Sequence, residues 1–248
     1  GALSPFCSCG VIPLIAALLA MGVPLAPVMA FWLASPLMDP SMFLLTTGTL
    51  GSTFAIYKTA AAIGIGLLGG FGTLALMRAG AFTDPLREGV GNGGCGGSSI
   101  RNPGAVVWKF WPDAARREKF WANVRQNTLF LGKWLTIAFF LESLMLAYIP
   151  AETISTYIGG SSWLTVIGAS LAGIPAYLNG YAALPLVNGL IEQGMAPGAG
   201  MAFLLAGGVS SIPAAIAVWA LARPPVFGAY LGFAFTGAVS AGLLFGLF

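Results

Sequence analysis

Two thiols one residue apart stand near the start of the chain, in Pro5-Phe6-Cys7-Ser8-Cys9-Gly10-Val11-Ile12-Pro13. Thiolates are soft ligands that select soft acids, so Cys7 and Cys9 point to a site for something thiophilic. Pro13 lacks an N–H and Gly10 tolerates unusual dihedrals, which predicts that helix does not run unbroken through the cysteines. Small polarizable side chains also pack well at tight helix interfaces. The position of this pair, between prolines at a helix break, favours ligation over packing. The chain has three cysteines and no histidine. That excludes histidine-based zinc sites, histidine-containing triads and histidine-ligated haem. No resident metal and no cofactor is expected.

Other chemistry-bearing residues interrupt apolar sequence. Asp39 lies at a proline-flanked break and Glu142 well inside an apolar run. Carboxylates at membrane depth are costly and usually functional, so either could relay protons for antiport, with a structural pair or a membrane-edge position as the plainer reading. Asn179, Tyr181, Ser35, Ser210 and Ser211 could line a cavity or cap broken helices. Lys58 and Arg223 are expected near an interface, with their stems snorkelling. Cys95 sits in a glycine-rich stretch, residues 89–97, where a bystander role is the simpler reading.

The elements that would position these residues are membrane helices. Hydrophobic residues make up 57% of the chain and charged residues 8%, against about 25% charged in soluble domains. Apolar runs near the ~20 residues needed to span a bilayer recur, and the ~10-residue alternation of a transmembrane barrel is absent. The fold class is therefore an all-α polytopic membrane protein. Residues 54–77, 129–149 and 226–248 read as long spans. Short apolar pieces fall at 11–21, 26–34, 42–50, 163–173 and 182–191, separated by Pro36, Pro175, Gly180 and other breakers.

Residues 78–125 differ in kind. They hold eight of the eleven basic residues, which places them in the cytoplasm by the positive-inside rule. Residues 106–124 mix tryptophan and phenylalanine with lysine and arginine and read as a helix lying on the inner membrane face. The glycine-rich stretch lacks the Lys-Ser/Thr ending of a phosphate-cradling loop, and membrane context argues against nucleic acid. The domains are thus a first transmembrane repeat (1–77), the cytoplasmic loop (78–125) and a second repeat (126–248).

The repeat is visible at an offset of 172 residues. Pro13 falls on Pro185, Gly22 on Gly194, Ala30-Phe31 on Ala202-Phe203, Leu33-Ala34 on Leu205-Ala206 and Gly70 on Gly242. The counterpart of residues 129–172 would lie before residue 1. Since Gly1 is not an initiator methionine either, the chain is expected to begin inside a larger protein. Interrupted segments at matching places in two repeats point to a transporter's midplane site, where non-helical backbone must be buried or line a cavity. Broken or re-entrant helices in inverted repeats are the expectation. Breaks are expected at Pro5, Gly10, Pro13, Pro36, Pro175, Gly180 and Pro185. Cys7 corresponds to Asn179 and Cys9 to Tyr181, so one half offers sulfurs and the other an amide and a phenol.

Pro5–Leu14, Gly22-Val23-Pro24 and Ala30-Phe31-Trp32-Leu33-Ala34-Ser35-Pro36 resemble the predicted-permease family that contains the organoarsenical efflux permease ArsP. Pro185-Leu186, Gly194 and Ala202-Phe203-Leu204 resemble that family's second repeat. The resemblance implies a multi-pass inner-membrane exporter of trivalent organoarsenicals, not an enzyme, with Cys7 and Cys9 as its thiols and Cys95 as a third candidate. The residues themselves leave the cargo open between arsenicals, sulfur compounds and soft metal ions. The competing class is a membrane thiol–disulfide oxidoreductase. Its usual spacing is Cys-x-x-Cys, one residue longer than here, and the second half has no cysteine.

Overall fold

The computed structural model describes residues 1, 3–4, 8–82, 111–148, 163–174, 180–210 and 212–247. Among these residues the elements are helices and there is no strand. The chain opens with three short helices, α1 (Ser8–Ala20), α2 (Leu25–Ala34) and α3 (Pro40–Leu50), and the long α4 (Ser52–Arg78). Then come α5 (Ala114–Tyr148), α6 (Trp163–Gly173), α7 (Gly180–Glu192), α8 (Pro197–Ser210), α9 (Ile212–Leu221) and α10 (Pro224–Phe245).

Two of these helices are long and apolar enough to cross a bilayer, α4 with 27 residues and α10 with 22. At 1.5 Å per residue α4 is about 40 Å long, against a hydrocarbon core of about 30 Å. The two pack against each other. α4 leaves Ile56, Ile63, Leu67 and Phe71 exposed, as a helix apolar on its outer face does when it meets lipid. Small residues bring the partners close. A Cβ on Gly70 would stand 3.0 Å from Ala30 Cβ of α2, and one on Gly242 would stand 2.7 Å from the Gly198 carbonyl of α8. α2 and α8 supply much of the core, including Met29, Trp32, Leu33, Met201 and Leu205.

The helix starts at residues 25 and 52 recur 172 residues later, at 197 and 224, and the described parts of α1 and α7 and of α3 and α9 are offset alike. The turns recur with them. Gly22 follows α1 at φ 86° and Gly194 follows α7 at φ 103°, a conformation glycine adopts without a Cβ penalty. Both close a Schellman-type turn, with Val23 N–H donating to Leu18 O at 3.0 Å and Met195 N–H to Leu190 O at 2.9 Å. Packing follows the same spacing: α2 lies on α4 as α8 lies on α10, and α1 crosses to α9 as α7 crosses to α3. Gly1 abuts Phe31 O and Ser35 N, and Gly173 abuts Phe203 O and Gly207 N.

Some expectations change. α1 runs through Cys9, Gly10 and Pro13, and α7 contains Pro185. Gly10, Pro13 and Pro185 are therefore helical residues and not breaks. A proline this near a helix start removes one i→i−4 hydrogen bond, and burial of Val11, Ile12 and Ile15 in α1, and of Leu184 and Val187 in α7, outweighs that loss. Among the described residues α1 is continuous from Ser8 to Ala20. Pro36 does lie in the turn after α2, and Gly180 opens α7; Pro5 and Pro175 are outside the described residues. The basic–aromatic stretch, where described, is no separate helix. Residues 114–124 are the first turns of α5, which continues to Tyr148; no glycine or proline occurs before Gly132 to stop it.

Candidate functional site

The turn between α2 and α3 meets the last turn of α8 near the middle of the fold. A Cβ on Gly208 would lie 3.3 Å from Leu37 Cδ2 and 3.6 Å from the Pro36 carbonyl oxygen. Asp39 ends this turn as the N-cap of α3, with Pro40 at the first helical position. That is the local chemistry that starts helices, a short acceptor followed by a residue with no N–H to satisfy. Asp39 Oδ1 accepts from Met42 N–H at 2.9 Å and from the Ser41 hydroxyl at 2.6 Å.

The second carboxylate oxygen reaches across the chain. Tyr181, the second residue of α7, donates its hydroxyl to Asp39 Oδ2 at 3.2 Å, and its oxygen is also 3.2 Å from Ser41 Oγ. Two residues singled out in sequence, 142 positions apart, thus touch. Ser35 closes α2 at 2% exposure, and its hydroxyl has no hydrogen-bond partner among the described residues. A buried hydroxyl left unpaired costs about 1–3 kcal/mol. Ser210 is buried too, but its hydroxyl donates to Ala206 O of its own helix at 2.6 Å, which suits capping more than cavity lining.

Cys7, Cys95, Asn179 and Ser211 lie outside the described residues. For Cys9 and Glu142 only the backbone is described. Cys9 is the second residue of α1 and Glu142 lies inside α5. Among the described residues no cluster of three or more Cys, Asp or Glu could hold a metal ion.

Lys58 is the residue that sequence reasoning misplaced. Instead of snorkelling at an interface it is 2% exposed inside α4. It forms no hydrogen bond or ion pair among the described residues, and the charge that acts on it is the Asp39 carboxylate. The face of α4 that carries Lys58 is largely covered by its neighbours. One signal was available: position 58 plus the 172-residue spacing is Tyr230. Tyr230 is fully buried, donates its hydroxyl to Val209 O at 2.7 Å and packs on Trp32. A cavity of about 470 Å³ opens between α4 and α10, lined by Tyr57, Gly64, Ile65, Met201, Gly237 and Phe245 among others. It contains none of the sequence-predicted site residues and is apolar, as a lipid-facing groove would be.

A family model described as a predicted permease matches residues 1–247. The UPF0718 protein of Methanocaldococcus jannaschii is 39% identical over 72 residues, a match covering 29% of this chain and 20% of that protein. The chain therefore aligns with about a fifth of the curated relative's length. No solved structure matches.

Proposed function

The chain belongs to the predicted-permease family and is a membrane permease, and from that premise we propose that it exports trivalent organoarsenicals or related thiophilic small molecules across the cell inner membrane. The reading has the chain as a multi-pass protein of two inverted repeats, with residues 78–125 cytoplasmic and the site where the interrupted segments of the two halves meet. The observation that carries it is the recurrence of two helix starts, two glycine turns and the crossed α1–α9 and α3–α7 contacts at one spacing. Duplicated, interrupted short helices of this kind are how secondary transporters build a midplane site.

Within that site Cys7 and Cys9 supply the thiols, and Asn179, Tyr181, Ser35 and Ser211 supply polar contacts; Ser210 is the weaker member, since its hydroxyl is engaged. Two thiolates hold a soft acid firmly enough to select it and loosely enough to release it, which a closed cage would not do. Cys95 is a third thiol for capture from the loop. Protons are the coupling ion, with Asp39 and Glu142 as relay groups.

The test is uptake of methylarsenite into everted membrane vesicles by the full-length protein and by Cys7→Ser, Cys9→Ser and Cys95→Ser. The expected outcome is loss of uptake in the first two with Cys95→Ser active. Uptake that survives both substitutions makes the pair packing residues. A wild type that moves no arsenical removes that cargo and leaves sulfur compounds and soft metal ions to be tried in the same vesicles.

A further inference from the structure

We propose that Lys58, to which no role has been given so far, is a proton-binding site of the permease, with Asp39 as its counter-charge and Tyr181 as the contact that carries its state to the other half. The inference rests on the transport reading above. Its first ground is burial without a partner. A lysine only 2% exposed inside a bilayer-length helix, with no hydrogen bond or ion pair among the described residues, gives up most of its hydration without a matching contact, which a purely structural helix would avoid with leucine. Lysine is also the cation whose charge is lost most readily on burial, which suits it to carry a proton and not merely a charge.

The second ground is the surroundings. Helices α2, α3, α8 and α10 pack on α4. Neither α2 nor α8 carries a titratable side chain, α10 offers Tyr230, and α3 offers Asp39 at its cap. On α4 itself Tyr57 and Arg78 are the other titratable groups. Tyr230 already donates its hydroxyl to Val209 O, so Asp39 is the acid that answers Lys58. The third ground is asymmetry. The position 172 residues after Lys58 holds a tyrosine whose hydrogen bond is complete, so one half carries a neutral, satisfied group where the other carries an unsatisfied ionisable one.

The consequence is mechanical. With the proton on Lys58 the pair is neutral, and Asp39 can hold both the cap of α3 and the Tyr181 hydroxyl of α7. When the proton leaves, Asp39 stands as an anion without its counter-charge, and the α3–α7 contact that it makes with Tyr181 is the one that responds. No covalent bond changes; the proton passes between Lys58 Nζ and water on whichever side is open.

The full-length protein, in which this sequence contributes four lysines, is labelled at lysine Cε and placed in lipid nanodiscs for NMR. The Lys58 signal is identified by its loss in Lys58→Met. It is expected to move between its ammonium and amine positions across the pH range in which the permease works, and Asp39→Asn is expected to weaken proton binding about tenfold or more. A signal that stays at the ammonium position throughout, or a midpoint indifferent to Asp39→Asn, overturns the proposal. If Lys58→Met fails to fold, Lys58→Met/Asp39→Asn removes both charges, recovers the fold and supplies the same assignment. In proteoliposomes Lys58→Met is expected to keep methylarsenite exchange and to lose at least tenfold of accumulation driven by a pH gradient; intact pH-driven accumulation also overturns the proposal. A wild type that carries no methylarsenite refutes the cargo and not the proton site, which the NMR titration then decides alone.

Discussion

Gly242→Ala isolates how closely α8 and α10 are packed. The new Cβ would stand 2.6 Å from Ala202 Cβ, 2.7 Å from Gly198 O and 2.9 Å from Val166 Cγ1. Non-bonded heavy atoms prefer about 3.5 Å or more, so the helices must part by about 0.8 Å. Two of the three neighbours are backbone or Cβ atoms that cannot rotate away. Overpacking of this kind costs about 1–3 kcal/mol, while alanine in place of glycine in a helix returns about 1 kcal/mol. The net expectation lies between no change and a loss of about 2 kcal/mol. Gly232→Ala on the same helix has nothing within 4 Å and keeps the helix-propensity gain alone. Gly70→Ala, facing Ala30 Cβ at 3.0 Å and Ala26 O at 3.5 Å, belongs between them. Thermal unfolding in detergent, followed by tryptophan fluorescence, should therefore rank the midpoints Gly232→Ala, then Gly70→Ala, then Gly242→Ala. The outer two should differ by the overpacking cost alone, roughly 2–12 °C at about 2–4 °C per kcal/mol. Equal midpoints for Gly242→Ala and Gly232→Ala would refute the argument from contact distance.

Two further outcomes test the region around the site. Tyr230→Phe removes the donor to Val209 O at 2.7 Å and leaves a buried carbonyl short of a partner, so unfolding should be easier by about 1–3 kcal/mol; an unchanged midpoint would mean the carbonyl finds another donor. Tyr181→Phe removes a contact at a partly exposed hydroxyl and should change stability by no more than about 0.5 kcal/mol. It should nonetheless slow transport in the vesicle assay, and wild-type rates would count against a role for the α3–α7 contact.

Much of the layout was legible because breakers are punctuation that chain-local chemistry enforces. Gly22 and Gly194 stop their helices by the same left-handed turn, and Asp39-Pro40 starts α3 by a cap that needs no tertiary partner. The short pieces at 26–34, 42–50 and 163–173 accordingly lie within a residue or two of α2, α3 and α6. The 172-residue spacing at which sequence breakers match is also the spacing of the helix starts. Pro13 and Pro185 misled because a proline's local penalty is small beside the burial of the helix that contains it, and burial is a property of neighbours. Lys58 misled for the same reason: one lysine in an apolar helix reads alike whether its face meets water, lipid or a second helix. The contact of Asp39 with Tyr181 joins residues 142 positions apart, a distance over which no periodicity speaks.

The unbroken α5 has a consequence for the membrane itself. In the proposed reading, where its apolar part crosses the membrane, its 35 residues make a rod of about 52 Å, some 20 Å longer than the hydrocarbon. Such a rod must tilt or protrude, and Trp121 and Phe120, exposed on its first turns, prefer the headgroup layer. α5 packs on α9 and α1, so the angle at which lipids hold the rod is handed directly to the helix that carries Cys9. Bilayer thickness, by way of hydrophobic mismatch, thereby becomes an input to the geometry of the thiol helix.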